Sequence, residues 1–369
     1  MSQEKITPKT PDQTWLESYF YPTLLEAKAY KIDTPVVDVK LDQNESPWDW
    51  PQHLKKKILD RVAEKPWNRY PEPIGEELHQ RLSDYVGVPA NCLLTSPGSN
   101  MMIPLVFDAM AKSLSGKVVV ARPSFALFEM HCNYAGIPYE TWDLDENFEY
   151  QLDRLPELPD GSFVVFASPN NPTGTSISPE MLETMLAQNP KTMFLADEAY
   201  YEFNDQPYTH LMAKYSNLMI LRTMSKTMGA AGVRLGYLMA PAAIIEQVKK
   251  LRLPYLLNHF SMEAAKIILS DDEMQAFVKK NIENAVSERD RIYQALSKKA
   301  ADGGFRVFNS KANFLLLQWL QADACDKAYR HLIEKGILVR NMSKGPGLAG
   351  CLRVSIGTQE ENDRLIAVF

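Results

Sequence analysis

The sequence contains few residues of the kinds that build disulfide frameworks and metal centres. Its four cysteines form no Cys-x-x-Cys pair, and its six histidines form no His-Glu-x-x-His or similar cluster. This pattern is typical of reduced thiols in a cytoplasmic protein and predicts no metal site. Apolar runs long enough to span a membrane are also missing: the densest, FLLLQWL at 314–320, is interrupted by Gln318.

An excess of positive charge is missing as well. Lys and Arg number 40 against 46 for Asp and Glu, a formal net charge of −6, which argues against a general nucleic-acid binder. A small anionic ligand is compatible with this balance, since a pocket can be locally positive. The first residues, MSQEKITPKTPDQ, lack the apolar centre of a signal peptide. We therefore expect a cytoplasmic protein that binds neither nucleic acid nor membrane.

What the sequence does contain is an alternation of strands and helices. The β-rich segments in the middle of the chain are KVVVA (117–121), SFVVFAS (162–168), TMFLAD (192–197), LMILRT (218–223) and LGYLM (235–239). Most are near-continuous apolar strings, as expected for strands covered on both faces, and helical stretches such as 101–114 and 179–188 lie between them. The pattern predicts an α/β fold whose large domain has a mainly parallel central sheet covered by helices.

The character of the sequence changes near residue 271. A charged amphipathic helix over 270–296, roughly 40 Å long, is followed by short strands at 305–310, 313–320, 337–341 and 351–357 and a helix near 322–335. We predict an N-terminal arm (1–40), a large domain (41–270) and a smaller α+β C-terminal domain (271–369).

Polar segments follow the predicted strands, at the edge where ligands bind in α/β sheets. They place these candidate residues together: Ser99, Asn100, Phe125, Asn171, Asp197, Tyr200, Ser225 and Lys226. Ser99 and Asn100 open a helix whose unpaired N–H groups suit a phosphate. Ser225 and Arg234 can add a hydroxyl and a positive charge to the same anion.

The other candidates suit the remaining parts of one ligand. Asp197 can bind a protonated ring nitrogen, and Lys226 can form an imine with an aldehyde. Asn171 and Tyr200 can hold a phenolic oxygen, and Phe125 can cover a ring face. A phosphorylated ring with an aldehyde, a phenolic oxygen and a protonatable nitrogen is pyridoxal 5′-phosphate.

From about residue 41 onward the sequence resembles the fold type I pyridoxal-phosphate-dependent aminotransferases of class I/II. The resemblance lies in SPNNPTG (168–174), ADEAY (196–200), SKTMGAAGVRLGY (225–237) and LRVSIG (352–357), in family order. Within the family it is most similar to the histidinol-phosphate aminotransferases, through LDQNESPWDW, RYPEP, GSN and GILVRN. It departs from that group at Asn100-Met101, where Asp-Glu is usual, at Phe125 for tyrosine and at Ser46 for asparagine.

The resemblance implies a role for each motif residue. Lys226 would bond the cofactor and carry protons, with Asp197 and Tyr200 completing the catalytic set. Ser99, Asn100, Ser225 and Arg234 would bind the cofactor's phosphate, and Asn171, Tyr200 and Phe125 its ring. Tyr70 would reach the phosphate of a partner subunit's cofactor, which implies a homodimer with shared active sites. The substrate-binding residues would be Arg353, Arg340 and Asn44.

By the same resemblance the reaction is a ping-pong transfer of an amino group between L-histidinol phosphate and 2-oxoglutarate, in histidine biosynthesis. Two alternatives stay open: an aromatic amino-acid aminotransferase, and a pyridoxal-phosphate decarboxylase or lyase acting on a substrate such as threonine phosphate. The motifs do not separate these reactions. Both aminotransferases need a pocket that accepts a flat ring, and in a decarboxylase or lyase the choice of bond broken at Cα depends on substrate geometry.

Overall fold

Two β-sheets organise the chain in the computed structural model, which describes residues 8–26, 35–111 and 113–369. The strands are β1 Val39–Leu41, β2 Leu93–Ser96, β3 Val118–Arg122, β4 Tyr139–Asp143, β5 Phe163–Ala167, β6 Met193–Asp197, β7 Leu218–Thr223, β8 Gly236–Met239, β9 Phe305–Phe308, β10 Phe314–Trp319, β11 Ile337–Asn341 and β12 Cys351–Ser355. The α-helices are α1 Gln13–Glu17, α2 Pro22–Glu26, α3 Gln52–Ala63, α4 Glu76–Val86, α5 Ser99–Met110, α6 Leu127–Ala135, α7 Pro179–Gln188, α8 Ala242–Val248, α9 His259–Ser270, α10 Asp272–Gly303, α11 Ala322–Glu334 and α12 Gln359–Val368.

The larger sheet has seven strands in the order β2-β8-β7-β6-β5-β3-β4. Only β8 runs against its neighbours; the β3–β4, β3–β5, β5–β6 and β6–β7 pairs are all parallel. Every residue of β5 and β7 is buried, as the apolar runs predicted, because helices cover both faces of a parallel sheet. The predicted mainly parallel central sheet is confirmed, and the carboxyl ends of its strands share one edge.

The smaller sheet has five strands in the order β1-β11-β12-β10-β9. Its edge strand β1 pairs in parallel with β11, Val39 opposite Ile337, although more than two hundred residues separate the two in sequence. The first described strand, β1, therefore belongs to the small sheet, and the residues directly after it, Asp42–Asn44, line the cavity at the edge of the large sheet. The division at 1–40, 41–270 and 271–369 stays a prediction.

Helices α7 and α10 show clear capping residues. Ser178 accepts the Met181 N–H at the start of α7, with Pro179 as the first helical residue. The long helix α10 runs over Asp272–Gly303 rather than 270–296, and it ends at Gly304, which has a left-handed φ of 63°. No helix among the described residues is long and apolar enough to cross a membrane.

Candidate active site

A cavity of about 320 Å³ opens at the carboxyl edge of the large sheet. That volume suits a cofactor with part of a substrate. Of the thirteen site residues predicted from sequence, all but Tyr70 line this cavity. These residues are Asn44, Ser99, Asn100, Phe125, Asn171, Asp197, Tyr200, Ser225, Lys226, Arg234, Arg340 and Arg353.

One end of the cavity is built to hold an anion. Helix α5 begins at Ser99, and its first N–H groups have no partner within the helix. The Arg234 guanidinium lies so close to Gly98 that a Cβ there would come within 2.5 Å of Arg234 Nη2. Gly236 packs directly against the Ser99 backbone: a Cβ at position 236 would lie only 2.2 Å from Ser99 N, so no side chain fits there. Arg234 Nη1 also lies 3.5 Å from Ser225 Oγ. The donor set fits a phosphate group.

Lys226 follows β7 and lies at the cavity wall, where its Nζ donates a 2.8 Å hydrogen bond to the carbonyl oxygen of Gln43. Burial, reinforced by the positive charges of Arg353 and Arg234, lowers its pKa to about 8. An appreciable fraction of the amine is therefore neutral near pH 7, and only the neutral amine attacks an aldehyde.

Asp197, the last residue of β6, is 4% exposed. Its Oδ1 accepts the Ala199 N–H at 3.0 Å. Burial raises the pKa of this carboxyl to about 7, and the nearby Lys226 lowers it only in part. A protonated ring nitrogen placed beside Asp197 would supply the missing positive charge. This carboxyl therefore fits the pyridine end of the predicted cofactor.

Two donors for a ring oxygen face the cavity between these ends. Tyr200 Oη accepts a 3.0 Å hydrogen bond from Asn44 Nδ2, and burial raises the pKa of Tyr200, so that its hydroxyl keeps its proton. Arg353 Nη1 donates to Asn171 Oδ1 at 2.6 Å, which leaves the Asn171 amide N–H groups for another acceptor. The pair matches the predicted contacts to a phenolic oxygen.

Two arginines on adjacent strands line the cavity opposite the large sheet. Arg340 of β11 and Arg353 of β12 are cross-strand partners in the small sheet. Arg353 is buried, and its Nη2 donates to the Asp42 carbonyl oxygen at 2.5 Å. The third residue predicted to bind substrate, Asn44, also lines the cavity, but its amide is bonded to Tyr200 and Ser355. These three substrate roles stay predictions.

Tyr70 lies outside the cavity lining. Its side chain is 79% exposed and stacks on Tyr255 with ring centroids 4.6 Å apart. Sequence reasoning missed Thr223, whose Oγ1 donates to Ser225 Oγ at 3.0 Å, and Met342, which lines the cavity from the small domain. The TMSK segment could have revealed Thr223, because a second hydroxyl stands two residues before Ser225. No comparable signal marks Met342.

Known proteins share both the sequence and the fold. The model of the family "Aminotransferase class I and II" matches residues 36–369. Histidinol-phosphate aminotransferase of Aquifex aeolicus (strain VF5) is 35% identical over 344 residues, covering 92% of this chain and 94% of that protein. The enzyme of the same name from Ruminiclostridium cellulolyticum is 34% identical, covering 91% and 93%.

A solved structure shows the same fold. Histidinol-phosphate aminotransferase from Sinorhizobium meliloti, in complex with pyridoxal-5′-phosphate, has a TM-score of 0.81 and 21% identity, covering 95% of this chain and 96% of that one. Together with the family match, this confirms the fold and the cofactor predicted from the motifs. The chain belongs to the aminotransferase class I and II family and is a pyridoxal-phosphate-dependent aminotransferase.

Proposed function

We propose that this enzyme transfers an amino group between L-histidinol phosphate and 2-oxoglutarate in the cytoplasm, as a step of histidine biosynthesis. The observation that carries the proposal is the facing pair Arg340 and Arg353 on adjacent strands of the cavity wall. Two guanidinium groups suit the phosphate of one substrate and a carboxylate of the other, since each is an oxyanion that accepts paired N–H donors. The names of the relatives at 34–35% identity support the same substrate.

The site residues divide the work of such a transfer. When bound, pyridoxal 5′-phosphate supplies the electron-withdrawing ring that makes a substrate Cα–H acidic. Asp197 would accept the N–H of the ring nitrogen, and Tyr200 and Asn171 would donate to the ring oxygen. Lys226, the cavity amine of lowered pKa, would hold at its Nζ the proton taken from the substrate Cα. Phe125, which lines the cavity, would cover one face of the ring and help to exclude water.

The test is a half-reaction of the purified holoenzyme without any 2-oxo acid. L-Histidinol phosphate should bleach the absorbance of the lysine-bound cofactor, and phenylalanine and tyrosine should react far more slowly. A reaction with the aromatic acids as fast as with histidinol phosphate would make the protein an aromatic amino-acid aminotransferase. Carbon dioxide release from threonine phosphate, with no bleaching by histidinol phosphate, would make it a decarboxylase.

We further propose a homodimer in which Tyr70 completes the partner's site. The two segments that meet at the Tyr70–Tyr255 stack carry exposed apolar side chains: Trp67, Tyr70, Ile74, Leu251, Leu253, Tyr255 and Phe260. The segments are fastened together, because Arg252 Nη1 donates to the Pro73 carbonyl oxygen at 2.9 Å. An apolar surface held this firmly is typical of a protein–protein interface.

Mixing inactive variants tests the shared site. Lys226→Ala and Tyr70→Ala protomers are each defective alone, but a hybrid dimer has one site with both wild-type residues. Random exchange should restore about a quarter of the sites in an equal mixture. Activity that stays at the average of the two parents would show that Tyr70 serves its own subunit, and sedimentation of the wild type as a monomer would exclude the dimer.

A further inference from the structure

Asn44 connects Ser355 of the small sheet to Tyr200 of the cavity by hydrogen bonds. Ser355, the last residue of β12, accepts the Asn44 backbone N–H at its Oγ (2.8 Å) and lies 2.8 Å from Asn44 Oδ1. Asn44 Nδ2 in turn donates to Tyr200 Oη at 3.0 Å. All three side chains are buried, at 3%, 1% and 5% exposure for Ser355, Asn44 and Tyr200. Water therefore does not substitute readily for any contact in this chain of hydrogen bonds.

The chain of hydrogen bonds has a direction. The Ser355 oxygen already accepts the Asn44 N–H, so its single proton is the one that goes to Asn44 Oδ1. The asparagine amide is thereby oriented with its N–H groups toward Tyr200. Tyr200 Oη is an acceptor in that bond, and its own proton is left for an acceptor in the cavity. The serine thus determines which way the tyrosine hydroxyl points.

Asn44 is also fixed through its backbone. Its φ of 54° lies in the left-handed region, which asparagine tolerates better than most residues. Asn313, just before β10, donates from Nδ2 to the Asn44 carbonyl oxygen at 3.1 Å. Both fixing residues, Asn313 and Ser355, belong to the small-sheet side of the molecule, whereas Tyr200 belongs to the large-sheet side. The orientation of the tyrosine therefore depends on how the small sheet sits against the large one.

We propose that Ser355 is a positioning residue which, through Asn44, holds the Tyr200 hydroxyl as a hydrogen-bond donor toward the ring oxygen of the bound cofactor. The proposal rests on the cofactor-binding role given above to Tyr200. Ser355 itself does not line the cavity, so its effect is transmitted and not direct. A donated hydrogen bond stabilises negative charge on the ring oxygen and weakens its hold on the neighbouring proton.

The experiment is a spectroscopic pH titration of purified holoenzyme. In Ser355→Ala the asparagine amide loses its orienting partner, and the tyrosine donates less to the ring oxygen. We expect the apparent pKa of the long-wavelength absorbance of the lysine-bound cofactor to rise by about one unit. Ser355→Thr, which restores a hydroxyl at the same atom, should return it to the wild-type value. Tyr200→Phe gives the largest shift attainable.

Two further variants separate this role from a loss of folding. Ser343→Ala removes another hydroxyl of the small-sheet side, one that lies 3.3 Å from Cys325 Sγ and outside this chain of hydrogen bonds; it should leave the titration unchanged. Asn44→Asp keeps Ser355 but puts a carboxylate where Tyr200 needs a donor, and should shift the titration at least as far as Ser355→Ala. Unfolding of each cofactor-free variant, measured by circular dichroism, reports folding independently.

The outcomes distinguish this inference from the proposed function. If Ser355→Ala and Asn44→Asp fold and titrate like the wild type while Tyr200→Phe shifts, the role of Ser355 is overturned and the function of the site is untouched. A shift of the same size in Ser343→Ala would also overturn it. If the wild type forms no long-wavelength absorbance with pyridoxal 5′-phosphate, or Tyr200→Phe has no effect, the assignment of the cavity itself fails.

Discussion

Two sets of charged and aromatic side chains lie back to back at the carboxyl edge of the large sheet, and neighbouring residues belong to different sets. Asp197 and Tyr200 line the cavity, whereas Glu198 and Tyr201 do not. The second set, the Arg222 cluster, consists of Glu198, Tyr201, Arg222 and Tyr237. The segment after β6 and the segment at the end of β7 therefore each supply residues both to the cavity and to the buried Arg222 cluster.

The Arg222 cluster satisfies its own charge. Arg222 Nε and Nη2 lie 2.7 and 2.6 Å from Glu198 Oε2, and the guanidinium stands over the Tyr201 ring, 3.5 Å from its centroid. Burial opposes the charge of Arg222, but Glu198 and the tyrosines outweigh it and hold the pKa of Arg222 above its ordinary value. The charge of Arg222 is therefore balanced within the chain.

The cavity set leaves its charges unbalanced. Burial raises the pKa of Asp197 to about 7 and lowers that of Lys226 to about 8, each away from its ordinary value. A cofactor with a protonated nitrogen and an aldehyde resolves both. The counter-ion, more than burial, therefore distinguishes the two sets: Arg222 has Glu198 beside it, whereas the pKa values of Asp197 and Lys226 shift toward their neutral forms.

The largest effect that separates the sets concerns turnover. Lys226→Ala removes both the nucleophile and the proton carrier, so we expect kcat to fall by at least about 10⁴-fold with little change in unfolding temperature. Measurement of the half-reaction rate beside a thermal melt checks this. Thr227→Ser, a conservative change at the next residue, is the matched control and should retain activity. Full turnover by Lys226→Ala would refute the assignment of the cavity.

The converse effect concerns stability. Glu198→Ala leaves the Arg222 guanidinium buried without its carboxylate, which typically costs about 3–5 kcal/mol of unfolding free energy. Urea titration of the holoenzyme measures the loss. The double variant Glu198→Gln with Arg222→Met, which removes both charges and keeps an oxygen for the Tyr208 N–H, should recover much of it. If the single variant were as stable as the wild type, the Glu198–Arg222 pair would not stabilise the fold.

The sequence predicted one of these sets and not the other. The cavity residues stand in motifs that follow strand ends, and twelve of the thirteen line one cavity. The Arg222 cluster could not be predicted from the sequence. Arg222 interrupts the apolar string LMILRT, and only the structure shows that Glu198 lies beside it. The pairing of β1 with β11 could not be predicted either, because a strand of three residues has too short a hydrophobic pattern to indicate which distant strand it pairs with.

The chain of hydrogen bonds through Asn44 shows the same limit. Asn44 was predicted to bind substrate from its motif, but its contacts with Tyr200 and Ser355 connect positions up to 311 apart in sequence. A motif fixes which residue types meet a ligand. It does not determine which other residues position the ligand-binding side chains, because those contacts depend on how the two sheets pack.

The unbalanced carboxylate should show in the pH dependence of stability. A carboxyl whose pKa rises from 3.8 to about 7 on folding contributes stability that is full below pH 3.8 and is lost as pH rises through 7. The unfolding free energy of the cofactor-free wild type, relative to Asp197→Asn, should therefore fall by roughly 4 kcal/mol between pH 4 and 8. Denaturant titrations at several pH values check this, and added cofactor should reduce the trend. Parallel curves for the two proteins would contradict it.

The smallest effect concerns the lysine, and it tests why its pKa is lowered. A pKa of about 8 makes the neutral amine about a tenth of the total at pH 7 and about nine tenths at pH 9. The rate at which cofactor-free enzyme binds pyridoxal 5′-phosphate covalently should therefore rise with pH and level off above about pH 9. An unperturbed lysine would keep accelerating over that range. Arg353→Gln removes a nearby positive charge, which favours the charged amine and raises its pKa, so the plateau should move to higher pH. A plateau that stays in place would mean that Arg353 does not contribute to the lowered pKa of Lys226, which would leave burial and the remaining charges near it as the cause.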